Sequence, residues 1–223
     1  MRKALALAFL ASFPLLAAQP RYHLELEANP AAPFPFLAKF GTVELHVFGG
    51  GVRADTIWLN AFSRNGANDV TVMNPIGRMY IDMPIPEIAS MLTKLGGSRE
   101  TVAYTVPLSA PVRGKVNGID ATRFRLVYGP EAWIDVWTTS VIPENAQFRR
   151  LFMEVVGAIS PSAATAARNI PGTPIYVELN FSHYRKLPLV RLKSLTFDND
   201  GESDALKVGV LYVKAPFSDA ILK

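Results

Sequence analysis

Apolar and polar residues alternate with period two along most of this chain, the pattern of strands with one dry and one wet face. Tyr22, Leu24 and Leu26 alternate with His23, Glu25 and Glu27, and Leu45 and Val47 with Glu44 and His46. The same alternation predicts strands around Ile57–Leu59, Val70–Val72, Met79–Met83, Val102–Val106, Phe124–Tyr128, Val177–Phe181 and Val208–Tyr212. Turn signals separate them: Gly49-Gly50-Gly51, Asn65-Gly66, Asn74-Pro75, Asn117-Gly118, Tyr128-Gly129-Pro130, Pro171-Gly172 and Asp198-Asn199-Asp200-Gly201. Each supplies a positive φ, a fixed φ or a local side-chain hydrogen bond. Roughly ten strands at such short spacing predict antiparallel neighbours in a long meander.

Two segments change period. From Pro84 to Leu95, apolar residues fall at Ile85, Ile88, Leu92 and Leu95, with Met91 beside them and Gly96-Gly97 as a stop. Between Pro143 and Ile159 they fall at Phe148, Leu151, Phe152, Val155, Val156 and Ile159. Both stripes have the three-and-four spacing of an amphipathic helix, and Ser160-Pro161 ends the second. An alanine-rich stretch from Ser162 to Arg168 predicts a third, weaker helix. Each apolar stripe must be covered, and a large antiparallel sheet twists as strands accumulate. The fold class is therefore mainly β (α+β): a strongly curved antiparallel sheet, a half-barrel, with two or three helices covering its concave side.

The N-terminus changes the picture of compartment. Met1-Arg2-Lys3 precedes an uncharged stretch from Ala4 to Ala18, too short to span a bilayer comfortably. A basic start, a short apolar stretch and small residues at Ala17-Ala18 predict a signal peptide over residues 1–18 and a single domain over 19–223. The protein is expected to be periplasmic or secreted, with no membrane span once the signal is removed. With no cysteine there is no lipid-anchoring thiol, no disulfide and no thiol catalysis, so stability must come from a packed core. Arg2 and Lys3 account for two of the net +4 charge, and the remaining basic residues are scattered, which argues against a nucleic-acid partner.

Catalytic patterns are absent: there is no Gly-x-Ser-x-Gly, His-Glu-x-x-His, Walker loop or dinucleotide fingerprint. The protein is read as a non-enzyme without cofactors. His23 and His46 share the wet side of successive strands, and a metal there would need a third ligand from Glu25 or Glu44. Exposed strand histidines beside acids are ordinary, so the reading is a solvated face and no metal. Asp198, Asp200, Glu202 and Asp204 are read as an acidic surface turn. Asp135 lies between Trp133 and Trp137 on one face of a strand, read as an exposed edge whose tryptophans cover apolar area. A diffuse set of large, adaptable side chains remains for an apolar groove: Trp58, Tyr80, Met83, Met91, Trp133, Trp137, Phe148 and Phe152. Burying an acyl chain against them would be favourable by ~0.8 kcal/mol per CH₂.

The order of elements carries a resemblance. Gly51-Val52-Arg53 leads to Gly77-Arg78-Met79-Tyr80-Ile81-Asp82-Met83-Pro84, followed by Val116-Asn117-Gly118-Ile119-Asp120-Ala121-Thr122-Arg123-Phe124. Ala132-Trp133-Ile134-Asp135-Val136-Trp137 then precedes the long helix, and Pro171-Gly172-Thr173-Pro174-Ile175 the final strands. This resembles the exported domain-of-unknown-function families of the LolA-like superfamily, to which lipoprotein carriers belong. The resemblance implies a curved half-barrel plugged by helices, and non-catalytic holding of a lipid or acyl chain. The alternative is an envelope protein–protein interaction or scaffold module with a filled core.

Overall fold

The computed structural model describes residues 21–30, 41–94, 105–127, 131–181, 184–197 and 202–216. The signal peptide over residues 1–18, most of the strand expected at 102–106, the turn at 128–130 and the acidic loop at 198–201 lie outside the described residues.

Twelve strands form one sheet in the order β12-β6-β5-β4-β3-β2-β1-β11-β10-β9-β8-β7. Their ranges are β1 Tyr22–Ala28, β2 Thr42–Val47, β3 Gly51–Asp55, β4 Asn60–Arg64, β5 Asp69–Asn74, β6 Met79–Pro84, β7 Val112–Val116, β8 Ile119–Val127, β9 Ala132–Thr139, β10 Thr173–Phe181, β11 Tyr184–Thr196 and β12 Val213–Lys214. Strands β2 to β6 form one antiparallel meander, as the short turns predicted; β7 to β11 are also antiparallel neighbours in chain order, but residues 140–172 are inserted between β9 and β10. Strand β1 joins the two by pairing with β2 on one side and β11 on the other. Strand β12 pairs parallel to β6.

Two expected strands differ. Ile57–Leu59 is a turn, because the Thr56 hydroxyl donates to Leu59 O at 2.8 Å and accepts from Leu59 N at 3.0 Å. This local hydroxyl bonding competes with the ladder. Residues 208–212 also form a turn, closed by Tyr212 N donating to Gly209 O at 3.0 Å, and pairing starts only at Val213.

The helices are α1 Glu87–Lys94, α2 Ala146–Ile159, α3 Pro161–Ala167 and the single turn α4 Glu202–Ala205. Asn145 caps α2, its side chain accepting from Phe148 N at 2.9 Å. Ser160 ends α2 and caps α3 by accepting from Ala163 N at 3.0 Å, and Pro161 occupies the first turn where no N–H is needed. Helix α2 packs against both α1 and α3, with α1 reaching β6 and α3 reaching β8. A Cβ added at Gly157 would meet Ala89 Cβ at 3.6 Å and Ala164 Cβ at 3.8 Å, ordinary contact distances, so α1 and α3 both flank α2 at this point.

One apolar cluster joins helix residues Ile88, Met91, Val156 and Ile159 to Val72 and Met83 at one end of the sheet and Leu126 and Val136 at the other. On the same sheet face, Leu24, Leu26, Leu45 and Val47 pack with Phe148 and Ile142. A smaller group of Phe48, Phe62, Met73 and Leu206 forms a third cluster. Arg53 and Arg64 donate to the carbonyls of Ala205 and Leu206 at 2.9 and 3.1 Å, tying the end of α4 to the sheet.

Candidate functional site

The eight large side chains singled out by sequence fall into separate places. Met83, Met91, Phe148 and Phe152 belong to the helix-side clusters, Phe148 and Phe152 meeting edge to face at 6.2 Å. Tyr80 packs against the third cluster, and Trp58 sits on the β3–β4 turn, 54% exposed. Trp133 and Trp137 lie on the sheet face opposite Ile134 and Val136. Between sheet and helices, beside Val136, Phe152 and Met153, the space is about 10 Å³. That is about one water probe.

A larger depression, about 260 Å³, opens on the wet face of β8 to β11 and is lined by Arg123, Asp135, Trp137, Tyr176, Glu178 and Lys186. The β7–β8 turn borders it with Lys115, Val116 and Asn117. That turn has Asn117 at φ 49° and Gly118 at φ 83°, the two positive values a tight hairpin requires. The Asn117 amide donates to Leu192 O on β11, three strands away from β8. Gly114 lets the hairpin approach: a Cβ there would sit 2.8 Å from the Trp137 ring.

The floor holds two buried carboxylates. Asp135 and Glu178 are cross-strand partners, 3% and 7% exposed. Arg125 grips Asp135 with both ends of its guanidinium, Nε to Oδ1 at 2.8 Å and Nη2 to Oδ2 at 2.9 Å. The Asn180 amide adds a contact of 3.4 Å to Asp135. Bonding to Asp135 raises the pKa of Arg125 further above its usual value. Tyr176 donates its hydroxyl to Glu178 Oε2 at 2.7 Å. Burial first, and then that carboxylate, push the Tyr176 pKa up, so the group stays a neutral donor. Arg125 lies over Trp133 at 4.6 Å and Arg123 over Trp137 at 5.9 Å. The result is a set of fixed aromatic faces and charge-matched polar groups.

One reading from sequence is corrected here. Asp135 is not on an exposed edge: β9 is an interior strand between β8 and β10, so its wet side is closed by neighbours on both flanks. Arg125, Tyr176, Glu178 and Asn180 were missed as site residues. Their signal was period-two spacing, Arg123-x-Arg125 and Tyr176-x-Glu178-x-Asn180, which shows which residues share a face without showing which strands adjoin.

A second polar group lies on β1 and β2. His23 and His46 are direct cross-strand partners with rings parallel to within 2° and centroids 4.3 Å apart. Ligand atoms of His23, Glu44 and His46 all lie within 4.8 Å of one another.

No family model matches the chain, and no curated protein matches it. An uncharacterized conserved protein from Thermus thermophilus is similar in structure with a TM-score of 0.47 at 6% identity, over 88% of this chain and 91% of that one.

Proposed function

We propose that this is an exported, non-catalytic interaction module that recognises a partner protein of the cell envelope through the depression on β8 to β11. The observation that carries this reading is the depression of about 260 Å³ itself, walled by Trp137, Tyr176 and Arg123. Tryptophan, tyrosine and arginine are the residues that dominate binding energy at protein interfaces. Here they are held in place before any partner arrives, by the hairpin above and the carboxylates below. Less side-chain entropy is then lost on association.

A curved half-barrel, as in LolA-like proteins, fits this reading. The single cluster linking β5 and β6 through the helices to β8 and β9 supports helices on the hollow side.

A lipid or acyl-chain ligand between sheet and helices has less support. Met83 and Met91 fill that layer, and the space beside Phe152 is about 10 Å³. An acyl chain would require the helices to move apart.

Photo-crosslinking separates the two readings. A benzophenone side chain placed at Lys186 in the expressing cell is expected to trap one discrete envelope protein. The adduct should disappear with Trp137→Ala and persist with Trp58→Ala. No discrete adduct, together with saturable binding of a fluorescent fatty acid by the purified protein, would overturn the interaction reading in favour of the lipid one.

A further inference from the structure

We propose that His23, His46 and Glu44 form a binding site for a divalent transition-metal ion of the Zn²⁺ class, independent of the depression on β8 to β11. Two imidazoles and one carboxylate are a donor set that suits such ions, and three protein ligands leave a position for water or an outside group. The fold supplies the convergence. His23 and His46 face each other across β1 and β2, and Glu44 lies two residues before His46 on the same strand face. Their ligand atoms fall within 4.8 Å of one another.

The charges around the pair single out Glu44. Asp55 also reaches His46 Nε2 at 3.9 Å, but it accepts from Arg53 Nε at 2.9 and 2.8 Å. Glu25, opposite Glu44 on β1, is held by Lys193 at 2.7 Å and by Ser194 at 3.2 Å. Glu44 lies 3.9 Å from His46 Nε2 and has no Lys or Arg within ion-pair distance among the described residues. Its charge is the one left to meet a cation.

A second observation points the same way. His23 Nε2 is shielded from solvent and has no hydrogen-bond partner. A buried polar atom with no protein partner is costly, and a bound ion or water relieves that cost. Parallel rings direct their lone pairs along parallel planes, so coordination needs the imidazoles to tilt toward each other. The terminal torsion of histidine is broad enough to allow that. The Phe48 ring lies nearly parallel to His46 with centroids 6.0 Å apart. Because the chain has no cysteine, a metal site here must use nitrogen and oxygen ligands.

The test uses the untagged protein, since an affinity tag would bring its own histidines. Zn²⁺ titrated in competition with a chromophoric chelator should bind one ion per chain with micromolar affinity or tighter. Electron paramagnetic resonance of the Cu²⁺-loaded protein should show hyperfine coupling to two imidazole nitrogens. Outer-shell changes at metal sites typically cost about 10–100-fold in affinity, so loss of a ligand in His23→Ala or His46→Ala should cost at least about tenfold. Glu87→Gln, at an exposed position of α1, should change nothing. Binding only at millimolar Zn²⁺, or a Cu²⁺ spectrum coupled to fewer than two nitrogens, would overturn the site. The spectrum decides even where a histidine variant fails to fold.

Discussion

Asp135 and Glu178 stand opposite each other on β9 and β10, two acids sharing one buried floor, and Arg125 bonds bidentately to the first of them. Like charges in direct cross-strand pairing repel. The guanidinium offsets that repulsion, and the Tyr176 hydroxyl supplies Glu178 with a donor.

Removing Arg125 should therefore cost far more than removing the pair. Arg125→Met leaves the Asp135 carboxylate buried and unmatched, with an expected loss of about 3 kcal/mol in urea denaturation. Combining it with Asp135→Asn should recover most of that loss. Equal stability of the single and double variants would show that the pair is not coupled.

Gly114→Ala tests how tightly the hairpin lies over the aromatic floor. The new Cβ would fall 2.8 and 3.0 Å from two atoms of the Trp137 ring, so the ring must move. Overpacking of this kind costs about 1–3 kcal/mol. Thermal unfolding should shift down by several degrees, and Trp137→Leu in the same chain should restore most of it.

Tyr22 predicts an alkaline weakness. Burial pushes its pKa from 10.0 to about 12, with Thr173 hydrogen bonding lowering it and Glu144 raising it. The unfolded chain releases this proton near its ordinary value while the folded chain keeps it. Stability from this group is complete below about pH 10 and declines as pH rises from about 10 to 12. Tyr22→Phe should flatten the fall in denaturation midpoint across that window.

Glu154 gives the opposite kind of pH effect. Burial on α2 raises its carboxyl pKa, with Arg150 and Arg168 acting against the rise. Above the folded value the charged side chain costs stability; below the unfolded value both states are protonated and the cost vanishes. Glu154→Gln should be the more stable protein at pH 7 and match the parent at about pH 3. A stability gain that persists at the lower pH would point to a cause other than charge.

Much of this fold was legible because periodicity reports local geometry. The period-two runs at 22–26, 44–47, 70–72 and 79–83 became strands, and both amphipathic stripes became helices within a few residues of their expected ends. Turn chemistry was equally local: Asn117-Gly118 closes β7 onto β8. The central pairing was not legible. Strand β1 pairs with β11 across more than 160 positions, as in the bond from Arg191 to Glu27, and no local pattern encodes that partner. The candidate depression failed for the same reason. Arg125, Asp135 and Glu178 come from three strands, and only adjacency turns separate wet-face residues into a network. The buried Gln147 is a further case: its amide reaches Ser63 Oγ at 2.6 Å across the helix–sheet layer, from a position that reads as an ordinary polar helix residue.

The central place of β1 sets an order of events for the newborn chain. The first described strand needs β2, which is made soon after it, and β11, which is among the last strands to be made. Each half can pair by itself, but the seam between them stays open until β11 has been delivered. Such distant contacts form slowly. During that interval Leu24 and Leu26 wait with one flank bare, so a helper that shields this stretch would gain most by binding as β1 emerges and letting go once β11 arrives.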